Sequence, residues 1–228
     1  IRDRNITGNV LLSGDKVKFG GLGSTGTAAA GTLAHTCIVT GRIVISGTDV
    51  TLGTRHAETP LKIDIPITIA GMSFGSLSSA AVHAMNQGAA IAGCLHNTGE
   101  GGISPHHLHG GELVWQLGTG YFGARAPDGS FDRAACVRAV QEHPVRAIEV
   151  KLSQGAKPGL GGVLPGEKVS AEISRIRGVP IGQTVISPPG HRSFGSVDEM
   201  LDFVEDLADA TGLPVGIKSA VGQLSFWT

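Results

Sequence analysis

Ala147-Ile148-Glu149-Val150-Lys151-Leu152 is an apolar run that ends in a glycine-rich segment, Ser153-Gln154-Gly155-Ala156-Lys157-Pro158-Gly159 and on to Gly162. It reads as a strand that spills into a loop. The same unit recurs on both sides. Upstream, Pro66–Ala70 (PITIA) is a continuous apolar run, as expected of a strand buried on both faces, and Gly71–Ser76 is its turn. Ser78 is placed to N-cap a helix through Ala92, with Ala81, Val82, Met85 and Ala89 at helical spacing. Ile91–Leu95 reads as a second short strand, ended by the run His96–Gly102. A longer insertion follows, with its best helix at Asp132–Glu142. Downstream, Val169–Arg177 reads as a helix and Ser187-Pro188-Pro189-Gly190 as a rigid turn. Ser196 caps a helix over Val197–Ala210, with Glu199 three residues on as a capping box requires. Pro214–Lys218 is then a fourth strand.

Strand, loop, helix, strand, repeated, implies an α/β fold with a parallel sheet and crossover helices. Ser73, Asn97, Gln154 and Lys218 each lie at or just past the C-terminal end of an apolar run. In parallel α/β folds that edge is where ligands bind. Taken singly, each is an ordinary polar residue at a strand end; together they outline a site for a flat polar ligand. Residues 1–60 are rich in Thr, Gly and Val, with short β-like runs at Asn9–Leu12, Val17–Phe19, Cys37–Thr40 and Ile43–Ser46. They read as a β-rich segment separate from the α/β unit at 61–228.

Composition narrows the function classes. Hydrophobic residues are 41% of the 228 and charged ones 16%, enough apolar side chain for a core that aliphatic residues must fill, since aromatics are only 4%. The 35 glycines show no collagen period and cluster between the apolar runs. A formal net charge of −1 with no basic patch argues against a nucleic-acid partner. No apolar run is long enough to span a bilayer and no signal-peptide pattern opens the chain, so the expectation is a cytoplasmic protein without a membrane partner. Cys37, Cys94 and Cys136 fit no zinc or iron–sulfur spacing, and no metal site is expected.

Three motifs are set aside. Gly21-Leu22-Gly23-Ser24-Thr25-Gly26 fits the dinucleotide fingerprint, with Asp49 further on, but such matches are cheap in a glycine-rich chain. His106, His107 and His109 form a dense cluster after Pro105, which points to a surface loop rather than a ligand set. His191 and Arg192 follow the double proline with nothing to fix them on an anion.

Five collinear segments resemble one family. They are Gly71-Met72-Ser73-Phe74-Gly75-Ser76, Asn97-Thr98-Gly99-Glu100-Gly101-Gly102, Ser153–Gly159 with Gly161-Gly162 and Leu164-Pro165-Gly166-Glu167-Lys168-Val169, Ile186-Ser187-Pro188-Pro189, and Gly216-Ile217-Lys218. In that order they resemble the FMN-binding domain of glutamate synthase, over roughly residues 60–224. Within the family, Gly47–Arg55 is similar to the flavin subunit of methylamine–glutamate N-methyltransferase. His109-Gly110-Gly111-Glu112-Leu113 and Gly118-Thr119-Gly120-Tyr121-Phe122-Gly123 are similar to stand-alone glutamate-synthase-like proteins, the branch that covers more of the chain.

The resemblance implies a (β/α)8 TIM barrel of FMN-binding type with only about its first four βα units present, the rest lying beyond Thr228. It implies a flavin oxidoreductase that passes a hydride to an imino acid such as 2-iminoglutarate, in glutamate biosynthesis. Met72 and Ser73 would approach the flavin ring, with Gly71 and Gly75 leaving room for it. Gln154 would pair with the ring's pyrimidine edge, and Lys218 would face its N1 side with a positive charge. Glu100 and Lys218 are the implied catalytic pair. Glu100, Gly101 and Thr119 would meet the substrate, Glu100 handling ammonia or a proton. The basic residues that would hold a dicarboxylate are not found between Trp115 and Phe122, where only Arg125 lies near. The iron–sulfur cluster of the family is not supported by these cysteines. Partners implied are an amino- or imino-acid substrate and an ammonia-supplying or electron-donor subunit, with oligomerisation left open. Two other readings stand beside this one: the methyltransferase-type flavin subunit, and a non-catalytic half-barrel.

Overall fold

The computed structural model describes residues 50–54, 57–65, 67–156 and 159–220, together with the backbone of 9–12 and 15–18. The Gly21–Gly26 pattern, Cys37, Asp49 and Lys157 lie outside the described residues. Near the N-terminus β1 (Asn9–Leu12) pairs antiparallel with β2 (Asp15–Lys18). A second antiparallel pair, β3 (Val50–Leu52) and β4 (Leu61–Ile63), follows.

The centre is a five-stranded parallel sheet. Its strands are β5 (Thr68–Ile69), β6 (Leu95–Asn97), β7 (Leu113–Leu117), β8 (Val145–Lys151) and β11 (Val215–Lys218). They lie side by side in chain order, without reversal. Right-handed crossovers between strands laid down in one direction put the crossover helices on one face of the sheet. The described helices are α1 (Ser79–Ala92), α2 (Arg133–Glu142), α3 (Ala171–Arg177) and α4 (Val197–Thr211); α1, α2 and α4 pack on the sheet, while α3 packs with Phe74 and with Val82 of α1. Between β8 and β11 a short antiparallel ribbon, β9 (Val163–Leu164) with β10 (Val185–Ile186), brackets α3.

The ends of α1 and α4 follow the sequence closely, whereas α3 starts two residues later than read, at Ala171 after its cap Ser170. Ser78 Oγ accepts from Ala81 N at 3.2 Å at the start of α1, and Gly93 closes that helix in the left-handed region, φ 68°. At α4, Ser196 Oγ accepts from Glu199 N at 3.2 Å, while Glu199 Oε2 reaches back to accept from Gly195 N at 2.6 Å.

The strands differ from the sequence reading in three ways. Ile91–Leu95 is not a strand: Ile91 and Ala92 belong to the last turn of α1, and the second strand is Leu95–Asn97. The sheet holds five strands, not four. Leu113–Leu117, inside the stretch read as an insertion, is a central strand, and its Leu113, Trp115 and Leu117 are fully buried. It was hidden because no α-helix separates it from β6, only a 3-10 turn at Pro105–His107. The PITIA run, in turn, is not buried on both faces: β5 is a two-residue strand at the sheet edge, with Thr68 exposed.

Alternation along the strands divides the sheet into two faces. Outward side chains of β7 and β8 (Trp115, Leu117, Ile148, Val150) pack with Cys136 of α2 and Leu207 of α4. Burial pushes the Cys136 thiol up to about 12, so it behaves there as a small apolar group. On the other face Leu95 and Ala147 pack against Leu61 of β4, which seals the N-terminal end of the strands. Moving toward the C-terminal ends, that inner face turns polar. No described helix is long and apolar enough to cross a membrane.

Candidate active site

Three inner-face residues form the first polar layer. Asn97 (β6), Gln116 (β7) and Glu149 (β8) come together because register places them on one side of adjacent strands. Glu149 Oε1 accepts from Asn97 Nδ2 at 3.0 Å and from Gln116 Nε2. Asn97 Oδ1 in turn accepts from Gly99 N at 3.0 Å, which fixes the start of the loop after β6.

One turn of the strand higher, Lys151 is 8% exposed. Its Nζ donates to Glu100 Oε1 at 2.7 Å and to Gln154 Oε1 at 2.8 Å. The β8 end, the loop after β6 and the loop after β8 thus meet at one ammonium. Glycines make room for the carboxylate: a Cβ on Gly118 would lie 2.5 Å from Glu100 Oε2, and one on Gly162 would lie 3.0 Å from Oε1. A small open cleft lies here, lined by Glu100, Thr119, Lys151, Gln154, Gly161 and Pro188 among others. Lys218 pairs with Lys151 in register on the neighbouring strand and so projects from the same face; its side chain has no ion-pair partner among the described residues.

A second cation lies behind Glu100. Arg177, the last residue of α3, is 6% exposed. Its Nη2 donates to Phe74 O at 2.9 Å and its guanidinium lies over the Phe122 ring at 5.1 Å. Desolvation lowers its pKa, and the charge of Glu100 opposes that shift. Its Nε is buried with no hydrogen-bond partner among the described residues.

The structure brings Glu100, Gln154 and Thr119 to one cleft; Lys218 stands beside Lys151 by register but does not line it. Thr119 spends its hydroxyl on the wall, donating to Pro188 O at 2.7 Å. Gly101 packs under the site, where a Cβ would meet Ser73 Cβ at 2.8 Å and Arg177 Nη2 at 2.9 Å. Met72 and Ser73 lie on the loop after β5, half-buried, with Ser73 Oγ 3.2 Å from Ser76 Oγ. That loop is pressed on the next one: a Cβ on Gly99 would lie 2.5 Å from Ser73 N. Gly71 and Gly75 make room for protein. Asn97 Oδ1 and Gln116 Nε2 fill the space beside Gly71, and Ile173 and Arg177 the space beside Gly75.

Sequence reading missed Lys151, Glu149, Gln116 and Arg177. The signal for two of them was present: in AIEVKL the charges at Glu149 and Lys151 alternate with apolar Ile148 and Val150, which sets them on the opposite face. The histidine cluster also differs from expectation. His107 is fully buried, its Nδ1 accepting from Ser104 N at 3.0 Å, while His106 and His109 are both half-buried, His106 paired with Glu172 at 3.0 Å and His109 stacked on His83. Among the described residues no group of three His, Cys, Asp or Glu is arranged to hold a metal ion.

The chain is an α/β protein built on a parallel sheet in unreversed strand order, with polar side chains converging at the C-terminal edge of that sheet. More particularly, the chain belongs to the glutamate synthase family: residues 32–224 match the conserved region in glutamate synthase. Among its relatives are the glutamate synthase large subunit-like protein YerD of Bacillus subtilis, 40% identical over 174 residues, which covers 75% of this chain and 33% of YerD. The archaeal-type glutamate synthase [NADPH] of Thermotoga maritima is 35% identical over 164 residues, 70% of this chain and 30% of its own. The archaeal glutamate synthase [NADPH] of Methanocaldococcus jannaschii is 39% identical over 166 residues, 70% of this chain and 29% of its own. The chain spans about a third of the length of these relatives.

Proposed function

We propose that residues 61–228 form the N-terminal part of an FMN-binding (β/α)8 barrel, with residues 1–60 a separate β-rich segment. The protein works as a glutamate-synthase-type flavin oxidoreductase in the cytoplasm. The observation that carries this reading is the Lys151–Glu100–Gln154 cluster at the C-terminal edge of an unreversed parallel sheet.

The donor set fits a flavin. Lys151 and Lys218 bring two ammonium groups to one face, and Gln154, whose Oε1 is taken by Lys151, still has its NH₂ to donate. Cations and an amide donor suit the carbonyl-bearing edge of a flavin ring, which gains negative charge on reduction. Met72 and Ser73 would border the ring from the loop after β5. When bound, FMN supplies the hydride that reduces the imine carbon of 2-iminoglutarate to glutamate. The protein's part is orientation. Glu100, held by Lys151, accepts a hydrogen bond from ammonium or from the imine N–H, and Gly101 and Thr119 close the wall beside it. Arg177, behind Glu100, supplies the positive charge that the Trp115–Phe122 stretch lacks. An electron-donor or ammonia-supplying subunit completes the reaction.

The test is a half-reaction. The chain, loaded with FMN and reduced under anaerobic conditions, is mixed with 2-oxoglutarate and ammonium. Flavin reoxidation with one glutamate per flavin is the expected result. Reoxidation that does not depend on either substrate would contradict the reading.

A further inference from the structure

Behind the cleft, on the segment that carries the Pro188–Pro189 wall, lies a hydrogen-bonded cluster that none of the roles above uses. Tyr121 is the one described non-glycine residue with positive φ, 51°, and it is fully buried. That backbone turn aims its phenol at the 187–195 segment. The phenolic oxygen accepts from Arg192 N and from Ser193 N, each at 3.1 Å, which occupies both of its lone pairs. Its single proton lies between Ser193 Oγ at 3.0 Å and His191 Nδ1 at 3.2 Å. The other ring nitrogen, His191 Nε2, donates to Lys151 O at 2.9 Å. A carbonyl can only accept, so Nε2 carries the proton and Nδ1 of the neutral ring is left as the acceptor for the phenol. Phe194 stacks on the imidazole at 4.7 Å.

We propose that Tyr121 and His191 are positioning residues: together they tie the wall segment to the backbone of Lys151 and so set where the Lys151 ammonium stands relative to Glu100 and Gln154. Thr119, two residues before Tyr121, holds Pro188 from the other side, so one short segment grips the wall at two points. The groups facing the imidazole are the Tyr121 phenol, the Lys151 carbonyl, Glu100 across the cleft and the Arg192 backbone. Protonation would add a donor at Nδ1 where the phenolic oxygen has no lone pair left to receive it. Desolvation holds the His191 pKa below the ordinary value, partly offset by its bond to the Lys151 carbonyl and by the charge of Glu100. The cluster therefore keeps one arrangement through neutral pH and lets go in acid.

This rests on the reading of Lys151 as part of a flavin site, so the experiment has a readout with FMN and readouts without it. In the ligand-free chain, ¹⁵N-histidine NMR is expected to show His191 as the neutral Nε2–H tautomer at pH 7. Hydrogen exchange is expected to protect the Arg192 and Ser193 amides, with protection falling at least tenfold in Tyr121→Phe and in His191→Phe, which keeps the ring stack. His191→Gln, whose amide still donates to the Lys151 carbonyl, restores the Lys151 Nζ resonance that His191→Phe shifts. An Nδ1–H tautomer in the unaltered protein overturns the proposal, as does an Nζ resonance unmoved by His191→Phe. With FMN added, affinity should fall about tenfold in His191→Phe and recover in His191→Gln. A chain that binds no FMN yet shows the tautomer, the protection and the Nζ shift retains the positioning pair and loses the flavin reading.

Discussion

The two faces of the parallel sheet are made by the same strands and do opposite things. On β8, Ile148 and Val150 face outward onto α2 and α4, while Glu149 and Lys151 face inward to polar partners. The outer face binds the sheet to its helices through apolar area, a contact that any side chain of the right volume can make. The inner face holds charges out of water, which is tolerated only because each finds partners at set distances. Stability resides mainly in the first region and the proposed chemistry in the second, and substitutions should separate them.

The largest effect is expected on the outer face. Trp115→Ala empties a fully buried site and should cost about 3–5 kcal/mol in urea unfolding. A loss under 1 kcal/mol would mean that this face is not the core.

Next comes the acid response of His96 and His107, buried between β6, α1 and the 3-10 turn. Desolvation lowers both to about 4 from 6.5. The folded protein keeps them neutral, whereas the unfolded chain takes up protons first as pH falls. Their contribution is complete above 6.5 and is lost as pH falls toward about 4, up to ~3 kcal/mol each. Urea midpoints across that window should drop steeply, and His107→Gln should flatten the slope. An unchanged slope in the variant would show that His107 does not titrate in this way.

Inner-face changes should be smaller in stability and larger in binding. Lys151→Met removes two charge-assisted hydrogen bonds and should cost about 1–3 kcal/mol, with FMN affinity down more than tenfold. Gly118→Ala sets a methyl 2.5 Å from Glu100 Oε2 and 2.8 Å from its Cβ, so Glu100 must move; turnover should fall, with about 1–3 kcal/mol lost in unfolding. Equal losses of stability from Trp115→Ala and Lys151→Met would erase the distinction between the faces.

Much of the frame was legible in the sequence because it is local. Ser78 and Ser196 cap helices by hydrogen bonds to residues three positions away, and Asp132 does the same at α2. Glu100, Gln154 and Lys218 were legible through glycine-rich strand ends. What the sequence hid depends on contacts distant in the chain. Leu113–Leu117 became visible as a strand only beside Leu95–Asn97 and Val145–Lys151. Arg177 looked like an ordinary basic helix end, yet its partner Phe74 lies 103 residues earlier. Lys151 read as a residue within a strand because nothing local says that Glu100 waits for it.

FMN binding by the full chain compared with its Lys151→Met and Lys218→Ala variants tests the central claim most directly, read from flavin absorbance and from the identity of the released cofactor. The account predicts close to one FMN per unaltered chain, lost or much weakened in both variants while their folds persist. A chain that takes up no FMN, or that binds it equally well without either lysine, would contradict the assignment of the inner face as the flavin site.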